Sequence, residues 1–391
     1  MGSVRSALMP ALPLSGVRVL DLSRHLPGPY VTAALADLGA RVVKIEEREI
    51  GDPTRGMAPA VEDGSDSAIH AWLNRGKKSI ALDLKAKDGL AVVKALAAKS
   101  DVLVESFRPG VMKRLGLDYP RLKRLAPKLT YVSLSGYGAT GPRSRRATHD
   151  LNAAGEAGLL SGGASMSPGL VADTAAGLLT LVALLAKLKS HGRPSHRGGL
   201  IDVSILDGAL ALNSAALTRA LAAPDREPDE LWGTHACYRV YECADRRRLA
   251  VGALEPQFWA AVCTGLGFPE HARGQWSRKR QPEMIADFER TFRTRTLAEW
   301  LLVLSPLDAC VTPVQSLAEV MADPQVRARA AFLPQKTARG SFLSPTFLPQ
   351  ITRRRHRPRA PRHGEHTREV LASLGYSQAR ILKLRGTGVI Q

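Results

Sequence analysis

The sequence predicts an α/β protein: an open parallel sheet covered by helices on both faces, followed by a smaller α+β domain. Three observations carry that expectation. Short β-branched runs alternate with helical patterns through the first hundred residues, a hairpin-like region with its own helices follows residue 230, and the chain of 391 residues exceeds the about 100–200 residues of one domain. Strands separated by helices are joined by crossovers, which run parallel and bury both faces of the sheet.

Residues 17–22 (VRVLDL) read as the first strand, 30–38 (YVTAALADL) as a helix, and 41–46 (RVVKIE), after Gly39, as the second strand. Residues 80–84 are strand-like, 88–99 carry apolar side chains at helical spacing, and 101–105 (DVLVE) and 130–133 (TYVS) are further strands. The apolar run 175–186 is broken by Gly177 and Thr180 and closed by Lys187. It falls short of the roughly 20 residues of a membrane span, so a buried helix is expected and no membrane anchor. Residues 213–230, rich in Ala, Pro, Asp and Glu, resemble a linker between a large domain over 1–212 and a small α+β domain over 231–318. In the small domain, 238–242 and 249–251 read as a hairpin about Asp245-Arg246, covered by helices over 258–266, 284–291 and 297–304. Residues 319–391 are expected to return to the large domain and to end in a basic tail.

Hydrophobic residues at 45% and charged residues at 23% exclude a disordered or fibrous chain. The 55 Lys plus Arg against 36 Asp plus Glu give a net charge of +19, a field that attracts polyanions. Six of the arginines lie within 351–364, so part of the surplus is local. Aromatics are 5% and no nucleic-acid-binding helix motif is present, which argues against nucleic acid and leaves a phosphorylated small molecule as the better partner. Cys237, Cys243, Cys263 and Cys310 suit reduced packing positions, and residues 1–14 hold no continuous apolar stretch, so a cytoplasmic protein is expected.

Ligands of open α/β sheets bind beyond the C-terminal ends of the strands. There the sequence places loops over 23–29 (SRHLPGP), 46–55 (EEREIGDPTR) and 105–110 (ESFRPG). None carries the Gly-x-Gly-x-x-Gly fingerprint or a Walker loop, which argues against an ordinary NAD enzyme or P-loop NTPase. Instead Arg75, Lys77, Lys78, Lys85, Arg108 and Arg114 offer cations for a ligand with several phosphates, the alternative being a merely solvated surface. The residues able to do chemistry are His149, Asp150, Asp173 and Glu255. Thr148 or Asp150 could cap a helix start, Asp173 could cap the long apolar helix, and Glu255 precedes Pro256, a proline suited to a first helical position. His235-x-Cys237 is too sparse for a metal site.

Five stretches in order (residues 14–46, DVLVESFRPGVMKRLGLDYPRL, YVSLSGYGATGPRSRRATHDLNAAG, GGLIDVSILDGAL and VGALEPQFWAAV) resemble the family III CoA-transferase superfamily. The resemblance reaches to about residue 350. Within the superfamily, His149-Asp150 and Glu255-Pro256-Gln257-Phe258 are similar to the α-methylacyl-CoA racemases, whereas Asp173 is common to both branches. The resemblance implies a Rossmann-like large domain, a small domain, an interlocked homodimer and an active site where the domains meet. It implies an acyl-CoA substrate in fatty-acid or lipid metabolism and no separate cofactor, CoA being part of the thioester.

Carried over by position, the implied CoA contacts are Leu82, Asp83, Leu84, Lys85, Ser106, Phe107, Arg108, Arg114, Thr148, Asp150, Leu151, Asn152 and Ala153. The arginine that holds the nucleotide in racemases falls at Glu47, with Arg48 next. Epimerising the α-carbon of a thioester needs a base on one face and an acid on the other; the resemblance assigns these roles to His149 and Asp173, with Glu255 orienting His149. Backbone N–H groups at the start of the Asp173 helix are the expected partners of the enolate oxygen. The alternative is an acyl-CoA:carboxylate CoA-transferase with Asp173 as the nucleophile.

Overall fold

The structure, a computed structural model, describes residues 12–61, 67–161, 169–189, 191, 196–224, 233–337, 340–347 and 358–391. The chain divides into two compact units: a larger one from described residues within 1–159, 166–213 and 325–391, and a smaller one chiefly from 214–324.

The larger unit follows the alternation of the sequence. It runs β1 (Arg18–Leu22), α1 (Pro27–Asp37), β2 (Arg41–Glu47), α2 (Ala68–Asn74), β3 (Lys78–Leu82), α3 (Lys87–Ala98), β4 (Val102–Glu105), α4 (Val111–Leu115), α5 (Tyr119–Leu125), β5 (Thr130–Ser135), α6 (Asp150–Glu156), α7 (Val171–Leu188), β6 (Gly199–Ser204) and α8 (Ile205–Leu212). The six strands form one parallel sheet in the order β3-β2-β1-β4-β5-β6. Strand order reverses between β1 and β4, the switch point outside which such sheets hold ligands. The two-residue period of DVLVE divides the faces: Val102 and Val104 join Val19, Val31, Leu35 and Leu184, whereas Leu103 joins Leu20, Leu22, Ile80, Val92 and Leu96. β3 begins and ends two residues earlier than expected, because the Asp83 N–H leaves the sheet to bond the Val389 carbonyl at 2.9 Å.

α7 packs between α1 and α8, burying Ala172, Ala175, Ala176, Thr180 and Leu184, and exposes Leu178, Leu179 and Val182. It is long and apolar enough by length and composition to cross a membrane, and half of it is buried within the protein. Its contact with α8 is close: a Cβ at Gly208 would lie 2.4 Å from the Ala176 nitrogen and 2.7 Å from the Ala172 carbonyl oxygen.

In the smaller unit the stretch expected as a linker opens with a helix, α9 (Ser214–Ala222), because Ala and Leu favour helix whether or not a face is buried, and here none is. β7 (Tyr238–Glu242), β8 (Arg248–Gly252) and β9 (Val311–Pro313) form an antiparallel sheet. α10 (Pro256–Leu266), α11 (Gln281–Phe292) and α12 (Leu297–Leu304) cover it with a core of Trp259, Phe288, Phe292 and Trp300, and α13 (Leu317–Ala322) follows. After α14 (Pro324–Ala328), the hairpin β10 (Phe332–Lys336) and β11 (Ser341–Pro345) returns to the larger unit.

Most of the arginine run lies outside the described residues, but from 358 onward the chain forms α15 (Thr367–Ser373) and α16 (Gln378–Gly386), whose Val370, Leu371, Ile381 and Leu384 are buried in the core with Val389 and Ile390. Ile390 bridges Leu82 at the end of β3, and the Arg55 guanidinium donates to the Pro361 carbonyl at 3.1 Å across 306 residues. A few apolar side chains among many charged ones suffice to dock these short helices.

Candidate active site

The loops after β1 and β4 meet at the switch point. Asp21, buried at the end of β1, accepts from the Ser23 N–H at 2.9 Å and the Ser23 hydroxyl at 2.5 Å, while buried Lys44 donates to the Ser23 carbonyl at 2.8 Å. The Arg24 N–H donates to the Ser106 hydroxyl at 2.9 Å, and its guanidinium lies 5.2 Å from the Phe107 ring centroid. Glu105 is buried below, where burial pushes its carboxyl up to about 7, and it accepts from the Phe107 N–H at 2.8 Å. Ser106 and Phe107 are therefore held from two sides, with Arg108 and Arg114 exposed beside them.

Along the same sheet edge Leu82 is fully buried, Asp83 accepts from the Lys85 N–H at 2.8 Å, Leu84 is half-buried and Lys85 is exposed. Where racemases are expected to use an arginine, Glu47 accepts from the N–H groups of Glu49 and Ile50 at 2.9 and 2.8 Å and fixes a turn; Arg48 pairs with Glu49 at 2.5 Å.

Two of the cations expected to face phosphates are turned inward. Arg75 is buried against Asp37 at 2.5 Å, and Lys77 lies 3.0 Å from Asp21, with Thr32 and Asn74 as further partners. Burial brings the Lys77 ammonium down to about 8, although Asp21 opposes this. Burial also works to raise Asp21, but Lys77 and Lys44 outweigh it and hold that carboxyl at about 2. A fully buried charge is stabilised by its internal partner. Lys78 is exposed but pairs with Glu369, which leaves Lys85, Arg108 and Arg114 as the outward cations of that set.

His149 caps the start of α6, its N–H donating to the Asn152 side-chain oxygen at 3.2 Å, with its imidazole exposed. The next residue, Asp150, is buried and accepts from the Asp173 N–H at 3.0 Å. One carboxylate thus ties the start of α6 to the start of α7 and brings His149 and Asp173 onto linked helix ends. One expectation changes: the N–H of Asp173 is taken by Asp150, so it is not a free donor for an enolate oxygen.

The Asp173 carboxyl is half-buried, and its Oδ1 has no hydrogen-bond partner among the described residues. Burial, then the Asp150 charge, raises it to about 7. On and before α6, Thr148 packs where a Cβ on Gly136 would come within 2.3 Å, Leu151 and Asn152 are exposed and Ala153 is buried. Glu255 belongs to the smaller unit, exposed at the cap of α10 with Pro256 at the first helical position.

Sequence reasoning passed over His25. It sits in the loop SRHLPGP, without a motif to distinguish it, yet its backbone has φ of +64° and its imidazole is exposed at the switch point. A histidine in a loop gives no signal of either property; only the fold does.

Known proteins resemble this chain over nearly its whole length. The chain is 36% identical to the alpha-methylacyl-CoA racemase of Mus musculus over 97% of both chains. It is 33% identical to the succinyl-CoA:glutarate CoA-transferase of Mus musculus, over 97% of this chain and 90% of that one. A CAIB/BAIF family protein from Brucella suis has a similar structure, with a TM-score of 0.78 and 26% identity, covering 93% of this chain and 100% of that one. Residues 14–367 match the profile of CoA-transferase family III, and the chain belongs to that family.

Proposed function

We propose that the protein epimerises the α-carbon of 2-methylacyl-CoA thioesters by a two-base proton transfer. The observation that carries this reading is the Asp173 carboxyl, raised to about 7 and braced by Asp150 to the helix that His149 caps. A group titrating near neutrality exchanges protons readily at physiological pH, which suits an acid–base partner better than a nucleophile that must remain ionised. In this scheme one of the two residues takes the α-proton, the bonding pair moves onto the thioester carbonyl as an enolate, and the other returns a proton to the opposite face. Glu255 is the proposed third member of the set.

Lys85, Arg108 and Arg114 are proposed to meet the CoA phosphates, and the chemistry calls for no metal or redox group. The exposed apolar stripe Leu178, Leu179 and Val182 supports an interlocked homodimer. A cytoplasmic location goes with this proposal.

The second reading, CoA transfer between an acyl-CoA and a carboxylate, is favoured by the transferase relatives and by the Asp173 oxygen that has no partner among the described residues, which would attack as a carboxylate. Incubation of a (2R)-2-methylacyl-CoA in deuterated water decides between them. Loss of optical purity with α-deuteration, and no acceptor acid present, is expected. Transfer to succinate or oxalate without α-exchange would overturn racemisation.

A further inference from the structure

His25 is a non-glycine residue held in the left-handed region, at φ of +64°, directly after β1. Such a backbone costs free energy at any residue with a Cβ and persists only where its surroundings fix it. Here they do. Asp21 grips the Ser23 N–H and hydroxyl, Lys44 grips the Ser23 carbonyl and is itself paired with Asp52 at 2.7 Å, and Ser106 receives the Arg24 N–H. Gly28 closes the loop from the other side, since a Cβ there would fall 2.2 Å from that of Ser23. Three buried charges therefore hold a strained turn that leaves one imidazole exposed at the switch point.

We propose that His25 is a second imidazole of the active site, contacting the acyl thioester and donating an N–H to its carbonyl oxygen as negative charge develops there. Partial burial lowers its pKa, Asp52 opposes this, and His149, Arg24 and Lys44 lower it further, which favours the neutral ring with its one N–H to donate. With the Asp173 N–H occupied by Asp150, the site has a need for such a donor. The proposal rests on the reading that the site polarises an acyl thioester, and it holds whether proton transfer or CoA transfer follows.

His25→Gly supplies the test, because glycine relieves the strain that histidine bears. The variant should fold with an equal or higher Tm and bind CoA as the wild type does, while kcat falls about 100-fold, the usual loss for one such donor. His25→Asn, which tolerates the same backbone and retains an N–H, should recover part of that loss. A kcat for His25→Gly within about threefold of wild type overturns the proposal. So does a loss of activity accompanied by a lower Tm and weaker CoA binding, which would make His25 structural.

If the wild type transfers CoA without α-exchange, racemisation falls but His25 is tested equally on transfer. Calorimetric titration with isobutyryl-CoA and with CoA gives a readout without turnover. Wild type should prefer the thioester and His25→Gly should not; equal preference in both proteins overturns the assignment.

Discussion

Burial and the neighbouring Asp150 raise the Asp173 carboxyl to about 7, and the shift links its chemistry to the stability of the fold. The folded value lies above the 3.8 of an ordinary aspartate, so the folded chain holds the proton more tightly than the unfolded one. The stability this carries is whole below about pH 4 and is lost as pH rises towards 7. At about 1.4 kcal/mol per pH unit the loss by pH 8 is at most about 4 kcal/mol, less where solvent reaches the carboxyl. Asp173→Asn should therefore abolish turnover yet raise Tm by several degrees at pH 8 and hardly at all at pH 4.5; an equal change at both pH values would contradict the shift. His149 and Asp173 could be singled out in the sequence as candidates because their residue types and neighbours carry the resemblance. Arg75 and Lys77 were misread as phosphate ligands because the acids that bury them, Asp37 and Asp21, stand 38 and 56 residues away, a distance over which sequence shows no pairing.

Elements were legible where their pattern is local. The DVLVE and VRVLDL runs, the hairpin about Asp245-Arg246 and the three helices covering it all follow from period and punctuation. β6 escaped because its burial alternates between half-buried and exposed, giving no continuous apolar run, and α15 and α16 escaped because a few buried side chains each make a weak signal. The junction of α7 and α8 depends on a residue whose importance is also invisible locally. Gly208→Ala would press a methyl into the backbone of Ala172 and Ala176, one residue on either side of the turn that presents Asp173. Overpacking of this kind costs about 1–3 kcal/mol, and the displaced helix should also lower kcat. A denaturant melt and a rate measured on the same sample check both; a variant with unchanged midpoint would show that the helices can separate freely.

Over the whole molecule the +19 charge is the broadest feature of the sequence; of the six cations singled out there, Arg75 and Lys77 turn inward, Lys78 pairs with Glu369, and Lys85, Arg108 and Arg114 face outward. Binding of a CoA thioester should accordingly survive from 50 to 200 mM salt with modest weakening, whereas nonspecific DNA binding through about six phosphates would fall by on the order of 10³. Gel shift and calorimetry in parallel measure the two, and a CoA affinity that collapses as steeply as the DNA shift would mean that charge alone holds the ligand. The contact between Arg55 and Pro361, and the bridge from Leu82 to Ile390, bear on how the protein is made. Residues 358–391 must leave the ribosome before the edge of the large sheet is covered, while every strand of the smaller sheet has already emerged. The later-encoded unit can thus fold first, and through much of synthesis β3 presents an open edge to other nascent chains, the period in which this protein has most need of a chaperone.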